Sequence, residues 1–300
     1  MADLSYLEHA PLWFTMLKSL SRTRLRGVTR TTRLLERCGC FGNKAVRVEI
    51  ERGFSIYVPI YRPEHWDRQD LLKYESDFMD TLVQAASLST SPLTIIDCGA
   101  DIGLTSIVLS ARIPTVSEVI AFEPSNEAFP VLKKNLFALP FRCRALQAAV
   151  SDFSGEGKLM SPAYDASHHA RYLAPCSNGG FPVSTIDSLS LSSRDLLIKI
   201  DVEGEEIRVV RGAVRTIREA DSVIVTVEAH PKVFARTGVD SIRVLNELAA
   251  IRPFDFTLSE DRGFRLDLSR PFFEQVKDKE QIYNVVATAR AQRVGTRGEP

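Results

Sequence analysis

The chain has 300 residues, 44% of them hydrophobic and 25% charged, enough apolar material for one large α/β domain with appendages. The 38 Lys and Arg balance 38 Asp and Glu, so no global charge steers it towards nucleic acid or a membrane, and no apolar run approaches the roughly 20 residues that cross a bilayer. Cys38, Cys40, Cys98, Cys143 and Cys176 are odd in number and lack C-x-x-C spacing, which argues against a disulfide framework and against a zinc site.

Leu4 to Leu20 reads as an amphipathic helix, with Leu4, Leu7, Trp13, Met16, Leu17 and Leu20 on one broad face. Asp3 and Glu8 precede its short apolar run, the wrong charge order for a signal peptide, so a soluble, cytoplasmic protein is expected. From Lys18 to Arg37 the charge is almost wholly basic, against Glu36 alone, and residues 1–43 are expected to form a basic helical arm. Lys44 to Ile60 alternates as a hairpin should, with Val46, Val48 and Ile50 before a turn at Arg52-Gly53 and Phe54, Ile56 and Val58 after it. A polar stretch holding His65, Trp66, Tyr74 and Glu75 then leads to an apolar helix from Phe78 to Ala86, so residues 44–90 are expected to be a hairpin and cap beside a cleft.

Leu93 to Ile96 is a continuous apolar, β-branched run that suits a strand buried on both faces, ended by Asp97. Gly99 and Gly103 allow a tight turn, Ile102, Ile107 and Val108 supply a buried stripe for the next helix, and Val119 to Phe122 is a second strand with Glu123 at its carboxyl end. Ligands of open α/β sheets lie across the carboxyl ends of strands, where an acid accepts hydrogen bonds from a ribose diol, so a nucleoside is expected. The turn lacks G-x-G-x-x-G spacing and carries Asp97 and Asp101, where a pyrophosphate would meet like charge. A ligand with an ammonium and a sulfonium would be attracted instead, which points to S-adenosylmethionine; a nicotinamide oxidoreductase is the weaker alternative.

A helix is expected from Asn126 to Phe137, with Phe129, Leu132, Leu136 and Phe137 inward, and a third strand from Ala145 to Val150. Residues 153–191, rich in Ser, Gly and Pro, break the alternation of strand and helix and form the candidate substrate lid. Within it, His168 and His169 have no further ligand at metal-site spacing, so no metal site is assigned. Asp195 to Asp201 is the fourth strand, followed by one amphipathic helix with Ile207, Val210, Val214 and Ile217 on its apolar side. Ser222 to Glu228 is the fifth strand, running into His230, and Ile242 to Ile251 a further helix. Strands at Phe254 to Leu258, Phe264 to Leu268 and Ile282 to Thr288, with antiparallel closure, complete a doubly wound α/β sheet, and residues 290–300 read as a disordered tail.

Three blocks, Asp97-Cys-Gly-Ala-Asp-Ile-Gly103, Ala121-Phe-Glu-Pro124 and Lys199-Ile-Asp-Val-Glu-Gly204, resemble in order and spacing the signatures of the FkbM-type methyltransferases, a likeness that extends over roughly Tyr74 to Ala289. The family usually has Asn where this chain has Asp101. The resemblance implies a class I methyltransferase-like, Rossmann-like domain over residues 91–289, with a mostly parallel seven-stranded sheet and an N-terminal helical and hairpin extension. It implies that Asp97, Gly99, Ala100, Asp101, Gly103, Glu123 and Pro124 hold S-adenosylmethionine, with Ala149, Ser151 and Asp152 along the adenine. It further implies O-methylation of a sugar, glycolipid or secondary metabolite that offers a free hydroxyl; a catalytically silent S-adenosylmethionine-binding module is the alternative. Asp201, Glu228 and His230, at the ends of the fourth and fifth strands, are the candidate catalytic groups. Asp201 or His230 would act as general base, in preference to Mg²⁺ held by Asp201 and Glu228.

Overall fold

The structure, a computed structural model, describes residues 4–22, 44–51, 53–60, 71, 76–160, 172–176 and 180–290. The basic run beyond Arg22, the residues His65, Trp66, Tyr74 and Glu75, the pair His168 and His169, and the tail from 291 lie outside these.

The N-terminal reading needs correction. Ser5–Leu7 is a strand (β1) and only Leu12–Arg22 is helical (α1). The reason lies in the hairpin Lys44–Glu51 (β2) and Phe54–Pro59 (β3): β1 pairs in parallel with β2 and satisfies an edge that the hairpin would leave open. Phe14, which the expected stripe omitted, anchors α1 against Val46 and Ile60, whereas Trp13 and Met16 of that stripe are 41% and 68% exposed.

After the helix Ser76–Ala86 (α2), the chain forms Leu93–Cys98 (β4), Leu104–Arg112 (α3), Val116–Phe122 (β5), Phe129–Leu136 (α4) and Arg142–Leu146 (β6). It then leaves the main sheet for Ala149–Val150 (β7), Gly155–Met160 (β8), Tyr172–Pro175 (β9) and Phe181–Ser184 (β10). It returns with Asp195–Ile200 (β11), Glu206–Arg211 (α5), Val214–Glu219 (α6), Ser222–Ala229 (β12), Pro231–Thr237 (α7) and Ser241–Ile251 (α8). Asp255–Leu258 (β13), Phe272–Gln275 (α9) and Tyr283–Arg290 (β14) follow.

The main sheet has seven strands in the order β13-β14-β12-β11-β4-β5-β6, all neighbours parallel except those of β14. Period-2 alternation feeds two cores. Ile95, Val119 and Leu197 face a layer made by α2, α3, α4 and the hairpin, while Ile96, Ile120 and Ile198 face α5, α6, α8 and α9. The doubly wound, mostly parallel class I methyltransferase-like sheet is therefore present, with antiparallel closure by β14. Asn135 ties its layers together: its amide donates to the Ile102 and Tyr57 carbonyls at 2.8 and 3.1 Å and accepts from Tyr57 N–H at 2.7 Å.

Several element boundaries differ from expectation. Phe137 is 58% exposed, beyond the end of α4, and Val131 takes an inward place instead. The third strand is β6, earlier than Ala145–Val150, because Ala149 and Val150 pair with β10 in a second, four-stranded sheet of order β7-β10-β8-β9. Residues 153–191 thus contain a small sheet whose core is Ala149, Leu173 and Val183, rather than an open loop. The single helix expected after Asp201 is broken into α5 and α6 at Gly212, where a Cβ would stand 2.1 Å from the Ser151 carbonyl oxygen. Phe264 to Leu268 is no strand; its alternation packs Phe264, Leu266 and Leu268 against the core without a ladder partner. Among the described residues no helix is long and apolar enough to cross a membrane.

Candidate active site

The glycine turn follows directly from β4. Gly99 has φ +80° and approaches β11 so closely that a Cβ would lie 1.9 Å from the Asp201 carbonyl oxygen, so nothing but glycine fits without backbone movement. Asp101 has φ +51°, a left-handed conformation that Asn and Asp tolerate better than other L residues, which is why either can fill this place in the block. Gly103, at φ +88°, is the N-cap of α3 and packs against Leu132. The amides of Gly99 and Ala100 both donate to the Phe122 carbonyl, at 3.1 and 2.9 Å, and so hold β4 to β5 instead of opening towards a pyrophosphate.

Asp97 is fully buried beneath this turn, at the end of β4 rather than beyond it. Its Oδ2 accepts from Ser106 Oγ at 2.7 Å, fastening α3 to the strand. Glu123, 8% exposed, accepts from Asp101 N–H through Oε2 and from Ser125 N–H through Oε1, both at 2.8 Å. A carboxylate has about four lone-pair sites and can accept from more donors than these two. Pro124 follows it, partly buried.

On the other side of the turn stands Lys199, a residue the sequence reading did not place in the site. Its ammonium lies 2.8 Å from Asp201 Oδ2, 3.2 Å from the Gly99 carbonyl and 3.6 Å from Asp97 Oδ1. The signal was available: a lysine inside an otherwise apolar central strand, two residues from an acid, shares that acid's face of the strand. Burial pushes the Asp201 carboxyl up, but the Lys199 charge and hydrogen bond, with a further hydrogen bond from Glu228, bring it below the usual carboxylate range. Lys199 thus favours the charged form of Asp201.

His230 is the N-cap of α7, its Nδ1 accepting from Lys232 N–H at 3.1 Å. A neutral ring so engaged carries its proton on Nε2 and presents a donor there, not a base. Ala149, Ser151 and Asp152 lie in or just after β7, outside the main sheet. Ala149 belongs to the small sheet, Asp152 is exposed, and buried Ser151 donates to Glu205 Oε2 at 3.2 Å at the start of α5. Burial raises the carboxyls of Glu205 and Glu206; Glu206 accepts from Gly204 N–H at 2.8 Å. Glu203 and Gly204 both have positive φ, and Arg236 of α7 donates to the Glu203 carbonyl. Burial pushes the Cys98 thiol far up, consistent with a small packed residue. Among the described residues no group of three or more His, Cys, Asp or Glu is arranged to hold a metal ion.

The structure therefore gathers Asp97, Gly99, Ala100, Asp101, Gly103, Glu123, Lys199, Asp201 and Glu228 around the carboxyl ends of β4, β5, β11 and β12. Known proteins of similar sequence are methyltransferases. A hexuronic acid methyltransferase, AglP, of Haloferax volcanii is 27% identical over 171 residues, covering 55% of this chain and 67% of that protein. The methyltransferase sdnD of Sordaria araneosa is 26% identical over 245 residues, covering 69% and 85%. The solved TYW2 of M. jannaschii in complex with AdoMet superposes with a TM-score of 0.41 at 12% identity, over 82% of this chain and 84% of that one, too loosely to add to the topology. The model of the methyltransferase FkbM domain matches residues 97–266, which span the glycine turn, Glu123, the small sheet and the Lys199-Asp201 strand end, and the chain belongs to that family of methyltransferases.

Proposed function

We propose that this methyltransferase uses S-adenosylmethionine to methylate a hydroxyl of a sugar, glycolipid or secondary metabolite. The observation that carries the reading is Asp201, a 36% exposed carboxyl at the end of β11, held 2.8 Å from the Lys199 ammonium beside the glycine turn and across it from Glu123. The hexuronic acid specificity named for AglP supports a sugar-like acceptor. When bound, the cofactor supplies a methyl group on a sulfonium. Glu123 would hold the ribose hydroxyls, and the turn from Gly99 to Gly103 would face the methionine part. Ala149, Ser151 and Asp152 would line the adenine side, and the small sheet would border the acceptor.

A hydroxyl is a poor nucleophile until its proton has somewhere to go. Asp201 would accept that proton, oriented by Lys199 on one side and Glu228 on the other, and His230 would contribute through Nε2–H as a donor. The Nδ1 hydrogen bond to Lys232 favours Asp201 over His230 as the base. The test is a transfer screen with methyl-labelled S-adenosylmethionine over hydroxylated sugars, glycolipids and polyketides, repeated with Asp201→Asn and with a chelator. Base catalysis predicts label on a hydroxyl oxygen, a loss of roughly 10² or more in Asp201→Asn, and no effect of chelator. Cofactor binding without transfer to any acceptor would support the silent module, and chelator-sensitive turnover restored by Mg²⁺ would replace the base by a metal.

A further inference from the structure

The chain leaves β4 towards β5 on one side and β11 towards β12 on the other, so the crevice between β4 and β11 is the switch point where open α/β sheets take ligands. Lys199 forms its floor. It is paired in register with Asp97, both side chains are at most 9% exposed, and its ammonium lies against Asp201 Oδ2, the Gly99 carbonyl and Asp97 Oδ1. A buried ammonium requires compensation, and one carboxylate would suffice. Here two carboxylates share one ammonium, which leaves a single negative charge on the trio. Asp97 is sealed beneath the turn, whereas Asp201 is 36% exposed, so the surplus charge faces the crevice through Asp201.

Resting on the reading that this crevice takes S-adenosylmethionine, we propose that Lys199 is a positioning residue acting through Asp201, which it holds as an oriented carboxylate against the sulfonium. Asp201 meets Lys199 from its own strand and a hydrogen bond from Glu228 at the end of β12, both favouring its charged form, against Asp101 from the glycine turn and Glu206 from the start of α5; Arg236 of α7 donates to the Glu203 carbonyl nearby. Lys199, 2.8 Å from the Asp201 carboxylate, offsets these acids. Without it the neighbouring acids would drive Asp201 towards its neutral form, and the preference for a charged sulfur would go with it.

The test is calorimetry with S-adenosylmethionine and with S-adenosylhomocysteine, which lacks the charge on sulfur, across a range from about pH 4 to pH 8. Their affinity ratio isolates the sulfonium. In the wild-type protein the ratio falls on acidification as Asp201 is protonated, and in Asp201→Asn it is low and flat. Lys199→Met alone would strand the buried Asp97 charge, so the decisive variant is Lys199→Met combined with Asp97→Asn, which removes the buried pair while keeping a side-chain carbonyl to accept from Ser106. There the fall in the ratio moves to higher pH by about 1 to 3 units, and Lys199→Arg leaves it within a fraction of that shift. A fall at the wild-type pH in the double variant overturns the inference and leaves the cofactor reading standing, as does a pH-dependent ratio that persists in Asp201→Asn. Failure of the wild-type protein to bind either compound overturns the cofactor reading itself.

Discussion

Glu123→Ala separates two roles of one carboxylate, the backbone contacts it makes and the ribose contact we propose for it. Glu123 is buried and accepts from Asp101 N–H and Ser125 N–H at 2.8 Å each, so truncation leaves two backbone donors without their acceptor. Each buried unsatisfied donor costs ~1–3 kcal/mol, about 2–6 kcal/mol for the pair. At roughly 2–4 °C per kcal/mol for a domain of this size, the melting temperature falls by on the order of 10 °C. Because Asp101 N–H belongs to the glycine turn, the loss also loosens the cofactor side of the site. The ribose role adds a separate term: losing a charged hydrogen-bond acceptor for the diol costs about 1.5–3 kcal/mol of binding, or at least a tenfold rise in Kd for S-adenosylmethionine. Differential scanning calorimetry reads the first term, and titration well below the melting temperature reads the second. Glu123→Gln, which keeps one carbonyl oxygen, falls between wild type and Glu123→Ala in both. An unchanged melting temperature in Glu123→Ala would refute the structural argument, and a lowered melting temperature with unchanged Kd would remove the ribose assignment alone.

Two further outcomes follow from burial and charge. Phe14→Ala removes the anchor of α1 from the pocket formed with Val46 and Ile60 and costs about 3 kcal/mol locally, so amides of β1 and its pairing partners in β2 exchange faster in hydrogen-exchange measurements, whereas Met16→Ser, on the exposed side, changes stability by less than about 0.5 kcal/mol. Equal effects of the two would contradict the orientation of α1. Burial raises the Glu206 carboxyl, so the folded protein holds that proton to higher pH than the unfolded chain, and its contribution to stability declines as pH rises from the ordinary value of 4.5 through the raised one. Glu206→Gln keeps an acceptor for Gly204 N–H without the charge; it should melt higher than wild type at pH 7 and lose that advantage on acidification to about pH 4, and an advantage of the same size at both would rule out burial of the charge as its cause.

The core of this molecule could be read from its residues because the governing interactions are local. Leu93 to Ile96 and Val119 to Phe122 are apolar without alternation, which a strand covered on both faces requires, and Gly99 and Gly103 stand where the backbone must take positive φ. Glu123 was legible for the same reason: an acid directly after an apolar strand has few places to go except its carboxyl end. What the tertiary structure alone decided was pairing at a distance. Ser5–Leu7 is extended because β2, whose Lys44 stands opposite Ser5, offers it an edge, against a local periodicity that favours helix. Ala149 and Val150 left the main sheet because β10 claimed them, and Gly212 broke a continuous helical pattern because Ser151 presses on it. The same holds at the site. Composition and spacing placed Asp201 at a strand end with Lys199 two residues before it, but only the register of β11 on β4 sets Lys199 opposite Asp97 and against the Gly99 carbonyl. A one-dimensional pattern specifies which face a side chain takes; which polar groups it meets there depends also on neighbours that are near in space and about 100 residues away in the chain.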